Sequence, residues 1–198
     1  MAKTPNRANK PPGALRIIAG AWRGRKLAVP PGLSVRPTSD RVREAIFNRL
    51  AHAFEDFRLQ GARVVDVFAG TGALGLEALS RGASHAVFLD RNPESIALIL
   101  RNVAAVKAED RATIMNADGA HLPRAAVACD LAFLDPPYHE GLIAPALSGL
   151  ARQGWLKPGA LVTAESDETE EVVGEMGYTI LDRRTYGRVA ITILKFAP

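Results

Sequence analysis

The stretch VVDVFAGTGALG, from Val64 to Gly75, decides the fold class of this 198-residue chain. Apolar residues around one aspartate predict a buried strand, and the glycines that follow predict a tight turn into a helix. The spacing G-x-G-x-x-G lets a backbone approach a ligand closely where the carboxyl end of a strand meets the start of a helix. Open α/β sheets bind nucleotides at this position, so the sequence predicts such a sheet with a ligand site at Gly70 to Gly75.

Strand-like and helix-like segments alternate after residue 60, which is typical of a parallel sheet covered by helices. The end of the chain departs from this pattern, because two strand-like segments face each other across Tyr186-Gly187 with no helix between them. We therefore predict an α/β fold with a mostly parallel sheet and an antiparallel C-terminal hairpin at its edge. The predicted strands are about 62 to 68, 85 to 90, 111 to 116, 130 to 135 and 159 to 165, with helices in the gaps, and the hairpin strands are Tyr178 to Arg184 and Arg188 to Phe196.

Two aspartates at later strand ends are candidates for contacts with a nucleoside-containing cofactor. Asp90 closes the second predicted strand about twenty residues after the glycine turn, where a carboxylate can accept hydrogen bonds from two ribose hydroxyls. Asp118 follows the third strand and is placed to accept a hydrogen bond from an adenine amine. The alternative for both is a local turn, before Asn92-Pro93 for the first and at Asp118-Gly119 for the second.

The tetrad Asp135-Pro136-Pro137-Tyr138 follows the apolar strand Leu131 to Leu134 and predicts chemistry on a base. The exocyclic amine of a base is a poor nucleophile because its lone pair is conjugated with the ring. Asp135 and the carbonyl of Pro136 can each accept one N–H and turn the lone pair toward an electrophile. The prolines fix this geometry, and Tyr138 can stack on a flipped base. A turn that merely ends the strand is the alternative.

Charge is distributed unevenly along the chain. Residues 1–49 hold eleven Lys/Arg against Asp40 and Glu44, a net charge of +9, whereas the rest of the chain is net −5. This asymmetry suggests a polyanion-binding arm on an acidic body, and residues 1–13 are expected to be a basic, disordered tail.

Composition narrows the class of protein further. The chain is 47% hydrophobic and 23% charged, which fits one globular domain. Cys129 is the single cysteine and the four histidines are scattered, so we expect no disulfide and no metal site. A secretory signal and a membrane-spanning run are both lacking, so we expect a cytoplasmic protein.

The basic segment is predicted to form an N-terminal β-hairpin from Ala14 to Val29. Trp22 lies among Arg23, Arg25 and Lys26, a mixture of aromatic and cationic side chains that favours single-stranded nucleic acid. A hairpin with merely solvated cations is the alternative.

A proline-punctuated linker follows, and Thr38 or Ser39 is then predicted to cap a helix. Its apolar face comprises Val42, Ile46, Phe47 and Leu50. Its polar residues form either a solvent-exposed face or part of the wall of a substrate site, and they are Arg36, Arg41, Arg43 and Asn48.

Together these motifs resemble the class I S-adenosylmethionine-dependent methyltransferases that modify amino groups. The similarity extends to the bacterial small-subunit ribosomal RNA guanine-N2 methyltransferases, the RsmD family, from about residue 14 to the end of the chain. The glycine loop is generic to the fold, whereas the N-terminal segment and the Arg-Pro-Thr helix specify the family. The matching stretches are RIIAG at 16–20, RGRKL at 23–27, RPT at 36–38, DRVRE at 40–44, Phe47-Asn48, the loop 66–75 and DPPY at 135–138.

The resemblance implies a Rossmann-like domain at residues 38–198, preceded by an RNA-binding hairpin and linker at 14–37. It implies methyl transfer from S-adenosylmethionine to the N2 amine of a guanine, without a metal, in ribosomal RNA or a small-subunit precursor. We expect a monomer. The implied catalytic residues are Asp135, Pro136 and Tyr138; the implied cofactor-binding residues are Asp66, Phe68, Ala69, Gly70, Gly72, Asp90, Arg91, Asp118, Arg36 and Thr38; and the implied RNA-binding residues are Arg16, Trp22, Arg23, Arg25, Lys26, Arg41 and Arg43.

Three other functions share part of this pattern. An adenine-N6 DNA methyltransferase uses the same tetrad but usually needs a separate target-recognition domain, for which 198 residues leave little room. A nicotinamide dehydrogenase shares the glycine spacing, but no hydride-site acid or substrate domain is evident. A non-enzymatic RNA-binding protein could retain the fold, although the intact tetrad argues against it.

Overall fold

Seven strands form one sheet in the order β3-β2-β1-β4-β5-β7-β6 in the part of the chain that the structure describes. This computed structural model describes residues 15–30, 37–174 and 177–198, without the side chains of residues 37–39. The elements are α1 (Pro37–His52), β1 (Arg63–Val67), α2 (Ala73–Ser80), β2 (His85–Asp90), α3 (Pro93–Ala105), a 3-10 turn (Glu109–Arg111), β3 (Ala112–Asn116), β4 (Cys129–Leu134), α4 (Ile143–Arg152), β5 (Leu156–Asp167), β6 (Tyr178–Tyr186) and β7 (Val189–Phe196).

The strand directions confirm the predicted mostly parallel sheet. β1 pairs in parallel with β2 and β4, β2 with β3, and β4 with β5, whereas β7 pairs antiparallel with both β5 and β6. Each parallel strand begins and ends within three residues of its predicted bounds. The largest difference is in β5, which begins three residues early at Leu156. It also ends two residues late at Asp167, which still pairs with Val189 of the antiparallel partner β7.

Successive residues of the central strands face opposite sides of the sheet and build two apolar layers. On β1, Val64 belongs to one buried cluster, whereas Val65 and Val67 belong to the other. All three are 0% exposed. Burial on both faces is the reason that these strands are continuous apolar runs, and each fully buried valine contributes about 1.5 to 3 kcal/mol.

The connection from β3 to β4 differs from prediction. Residues 117–128 form a loop, where the alternating pattern predicted a helix. Asp118 accepts the backbone N–H of Ala120 and His121 N–H bonds back to the Asp118 carbonyl, so a local turn begins here. A turn-forming aspartate and the following glycine compete with helix initiation.

Helix α1 has the predicted apolar face but begins earlier than expected. Val42, Ile46, Phe47 and Leu50 are all buried. The helix starts at Pro37, so Thr38 and Ser39 lie inside it and the predicted cap at either residue is wrong. Proline suits the first turn of a helix because its φ is preset and its missing N–H would have had no helical partner.

The predicted N-terminal β-hairpin is not seen. Residues 15–30 form a loop that is closed by one isolated antiparallel bridge between Arg16 and Lys26. Gly24 N still donates to Ile17 O beyond the bridge, but the following backbone groups bond to helix α2 instead. Ile18 N and Ala19 N donate to the carboxylate of Glu77, at 2.7 and 3.0 Å.

This N-terminal segment is fixed to the body by further contacts with α2 and α3. Trp22 N donates to Ser80 Oγ, and Asn102 both accepts from Ala28 N and donates to Ala28 O. Gly20 approaches so closely that a Cβ there would lie 1.9 Å from Ser80 O. The segment thus packs on the same core as the helices.

The C-terminal hairpin is confirmed, with β6 at the edge of the sheet. Its two strands are joined at Gly187, whose φ of 67° suits a tight turn. No helix among the described residues is long and apolar enough to cross a membrane.

Candidate active site

The turn between β1 and α2 holds three residues in the left-handed backbone region. The φ angle is 65° at Phe68, 56° at Gly70 and 77° at Gly72. Glycine adopts this region freely, whereas phenylalanine does so at a cost of about 1 to 3 kcal/mol. Gly72 N donates to Ala69 O at 2.7 Å and closes the turn. A strained residue such as Phe68, held in place by a closed turn, is typical of a ligand-binding loop.

Asp66 supports this turn with its buried side chain. Its side chain is 1% exposed, and Oδ2 accepts the N–H of Gly75 at 2.8 Å. Burial, with a smaller contribution from repulsion by Asp90, raises the pKa of Asp66 to about 8, although the hydrogen bond opposes the rise. Asp66 therefore fixes the start of α2 rather than opening to a ligand.

Asp90 is bonded directly to the glycine turn. One carboxylate oxygen accepts the N–H of Gly70 and the other accepts the N–H of Asn92, both at 2.8 Å. The next residue, Arg91, is exposed, and its guanidinium lies 4.0 Å from the carboxylate of Glu140. Asp90 thus occupies the strand end that the sequence predicted and also shapes the turn there.

Asp118 stands at the corresponding end of β3. Its carboxylate accepts the N–H of Ala120 at 3.0 Å and contacts Nδ1 of His121 at 2.8 Å. Phe68 packs against the adjacent Gly119, where a Cβ would lie 2.4 Å from the ring. The local turn at Asp118-Gly119, which was the alternative to a cofactor contact, is therefore present.

A cavity of about 770 Å³ opens beside the glycine turn, a volume within the usual range for small-molecule sites. Gly70 and Thr71 line one part of it, and Asp135 and Tyr138 line another. Much of the remaining wall is apolar and comes from Leu15, Val29, Val42, Ile46, Leu74, Leu98 and Val189. The two motifs that the sequence singled out therefore open into one cavity.

The tetrad begins directly after the central strand β4. Asp135 is accessible from the cavity, whereas Pro136 is buried. The hydroxyl of Tyr138 donates to Oε1 of Glu165 at 2.6 Å. This bond holds the tyrosine ring at the cavity wall.

The acidic groups of the cavity have raised pKa values. Desolvation, followed by repulsion from Glu165 and Asp66, raises the pKa of Asp135 well above its usual range. Burial likewise raises the pKa of Glu165, and the hydrogen bond from Tyr138 opposes this rise. Perturbed carboxyl groups in a cleft are typical of functional sites.

Glu165 is a cavity residue that sequence reasoning missed. It falls at the end of the predicted strand 159–165, where a polar residue reads simply as a strand boundary. The available signal was an acidic residue at the carboxyl end of a buried parallel strand, which is the pattern that had already marked Asp90 and Asp135.

Five of the predicted RNA-binding residues are exposed: Arg16, Arg23, Arg25, Lys26 and Arg41. Arg16, Arg23 and Arg41 line a shallow depression of about 360 Å³ together with Asp40 and Glu44. The structure thus brings cations from the N-terminal segment and from α1 onto one surface.

Arg43 and Trp22 do not fit the RNA contacts that were expected of them. Arg43 is 5% exposed, and its Nη2 donates to Asp40 and to the carbonyl of Arg16, both at 2.7 Å. Arg43 is therefore a buried structural residue that also lines the large cavity. Trp22 is half-buried, and the guanidinium of Arg111 covers its ring at 4.9 Å from the centroid.

Two predicted cofactor-binding residues lie wholly or partly outside the described part of the chain. Arg36 lies outside the described residues, and Thr38 lies in α1 but its side chain is outside the described part.

Comparisons with known proteins agree with this fold and motif set. The family described as Conserved hypothetical protein 95 (Cons_hypoth95) matches residues 15–195. The chain is 36% identical over 199 residues to "Ribosomal RNA small subunit methyltransferase D" of Escherichia coli (strain K12), covering 93% of this chain and 97% of that protein. It is 36% identical over 192 residues to the protein of the same name from Haemophilus influenzae, covering 95% of each.

A solved structure extends the likeness to three dimensions. The protein yhhF from Escherichia coli superposes with a TM-score of 0.79 at 37% identity, covering 93% of this chain and 99% of that chain. Sequence and structure agree over nearly the whole length, and the chain therefore belongs to the Cons_hypoth95 family, the RsmD methyltransferases that its motifs resemble.

Proposed function

We propose that this protein transfers a methyl group from S-adenosylmethionine to the N2 amine of a guanine in small-subunit ribosomal RNA. The observation that carries the proposal is the opening of the Asp135–Tyr138 tetrad and the glycine turn at Gly70 into one cavity. Relatives at 36% identity are named small-subunit ribosomal RNA methyltransferases, which supports the same substrate class.

The residues at the carboxyl ends of β1 to β3 suit S-adenosylmethionine. The turn from Phe68 to Gly72 presents backbone to the methionine part, and Asp90 is placed for the ribose hydroxyls. Arg91 and Asp118 stand at the same edge, toward the adenine. In this arrangement Asp66 acts indirectly, through the N–H of Gly75.

The tetrad prepares the amine for attack on the methyl group that the bound cofactor supplies. Asp135 and the carbonyl of Pro136 accept the two N–H groups of the amine, which aims its lone pair at the methyl group. The new N–C bond forms as the C–S bond of the cofactor breaks, with S-adenosylhomocysteine as the leaving group. The amine becomes acidic only during this step, so Asp135 orients it and stabilises the developing charge, and the proton is then lost to solvent. Tyr138 stacks on the flipped base.

The exposed cations of residues 16–26 and Arg41 bind the RNA backbone in this proposal. The body of the chain is net acidic, which favours phosphate contacts on this basic surface. The flipped guanine then enters the cavity beside the tetrad.

A tritiated methyl-transfer assay on RNA, DNA and protein fractions tests the proposal. We expect label in RNA and N2-methylguanosine as the labelled nucleoside. Asp135→Ala should lower the single-turnover rate at least about a hundredfold and leave cofactor affinity nearly unchanged. Asp90→Ala should instead weaken cofactor binding, and the exposed Asp56→Ala is the matched control. Label in DNA alone, or an Asp135→Ala variant at the parental rate, would contradict the proposal.

A further inference from the structure

Glu165 lies beside the tetrad on the neighbouring strand β5, one residue after the last pair between β4 and β5. β4 and β5 run parallel with Leu134 paired to Ala164, so the residues that follow, Asp135 and Glu165, are neighbours too. Adjacent strands are about 4.8 Å apart, and paired residues face the same side of a sheet. Both side chains line the cavity. Two carboxyl groups from adjacent strands therefore face the same cavity.

The two oxygens of the Glu165 carboxyl group have different surroundings. Oε1 accepts the hydroxyl of Tyr138 at 2.6 Å, a bond that favours the ionised carboxylate. Within residues 15–30, 37–174 and 177–198, no hydrogen bond to Oε2 is formed. The tyrosine thus fixes one oxygen and leaves the other for a donor in the cavity.

Guanine offers such a donor next to its reacting amine. Its Watson–Crick edge carries the N2 amine and, on the adjacent ring atom, N1–H. Adenine carries an unprotonated N1 at the equivalent position beside its own amine. When Asp135 and the carbonyl of Pro136 hold the amine, the acceptor oxygen Oε2 beside Asp135 attracts guanine N1–H and repels the lone pair of adenine N1.

We propose, on the basis of the proposed function, that Glu165 is the residue that selects guanine, with Oε2 accepting the N1–H of the base whose N2 amine is held by Asp135. Tyr138 then has two tasks, because it stacks on the base and holds the selecting carboxylate.

The test replaces the target guanine in the RNA by 2-aminopurine, which keeps the amine but has no N1–H. Single-turnover rates on both RNAs are measured for the parent, for Glu165→Gln and for the exposed control Glu168→Gln. We expect the parent and the control to prefer guanine by about thirtyfold, the range for a hydrogen bond to a charged group. In Glu165→Gln the amide oxygen can still accept from Tyr138 and its NH₂ can donate to N1 of 2-aminopurine, so this preference should fall at least about tenfold.

The ratio of the rates on guanine RNA and 2-aminopurine RNA distinguishes a base-selecting role of Glu165 from a merely structural one. If Glu165→Gln slows both RNAs equally and keeps the parental preference, Glu165 does not read N1 and the inference is wrong. Glu165→Asp provides a second variant, which should lose rate on guanine RNA without gaining on 2-aminopurine RNA. A gain by Glu165→Asp would also overturn the inference. A parent that yields N6-methyladenine would refute the proposed function itself, together with the inference that rests on it.

Discussion

Replacing Glu77 with alanine tests whether the N-terminal segment is held by one buried carboxylate. Glu77 is 0% exposed and accepts three hydrogen bonds, from Ile18 N at 2.7 Å, Ala19 N at 3.0 Å and Arg81 Nε at 2.7 Å. The alanine variant leaves two backbone N–H groups and one guanidinium without their acceptor.

The expected loss follows from those three contacts. A hydrogen bond to a charged group contributes about 1.5 to 3 kcal/mol, but removal of the glutamate also removes the cost of burying its charge. We therefore expect the free energy of unfolding to fall by about 3 to 5 kcal/mol, a large share of the total for a domain of this size. Urea unfolding measures the loss, and limited trypsin digestion should show faster cleavage at Arg23, Arg25 and Lys26.

Two further variants make the result specific. Glu77→Gln keeps one acceptor oxygen for a backbone N–H, and we expect it to lose about half as much stability as Glu77→Ala. Glu55→Ala removes an exposed carboxylate and should change the free energy of unfolding by less than about 0.5 kcal/mol. If Glu77→Ala unfolds at the same urea concentration as Glu55→Ala, the segment is held elsewhere and the reasoning fails.

Asp66→Asn should flatten the dependence of stability on pH. The pKa of Asp66 is raised to about 8 in the folded chain from an ordinary value of 3.8, so the parent is most stable below about pH 4 with respect to this group and loses that contribution as the pH rises toward 8. Between pH 5 and pH 8, the free energy of urea unfolding should fall by about 3 kcal/mol more for the parent than for the variant. An equal fall in both proteins would contradict the burial argument. Replacing Arg23, Arg25 and Lys26 together by alanine should weaken RNA binding and flatten the plot of log affinity against log salt by about two units, with cofactor binding unchanged. Parallel salt slopes for parent and triple variant would show that RNA is bound elsewhere.

The parallel sheet was predictable because its strands bury both faces. A run such as Val64 to Val67 must lie inside the molecule whichever way its side chains point, and the glycines after it mark where it ends. The N-terminal segment was not predictable in the same way. Its apparent hairpin depends on where its backbone N–H groups find acceptors, and the acceptors are Glu77 and Ser80, some sixty residues away in sequence.

The candidate site was predictable where residue type and strand end coincide. Asp90 and Asp135 stand at such ends, and the structure places them there. The burial of Arg43 could not be predicted from the sequence, because its position is that of an ordinary basic residue on a helix. Only the folded chain brings Asp40 and the carbonyl of Arg16 to its guanidinium. Glu165 was missed because its partner Tyr138 is brought to it only by the pairing of β4 with β5.

The dependence of the N-terminal segment on α2 and α3 has a consequence for synthesis of the chain. Ala28 precedes Asn102, to which it is bonded, by 74 residues. At about 5 to 20 residues per second, a ribosome needs about 4 to 15 seconds to make the intervening chain. During that interval the acceptors that fix the basic segment do not all exist. The basic segment is thus among the first parts of the described chain to be made, but Asn102, the last of its acceptors, is made only with α3.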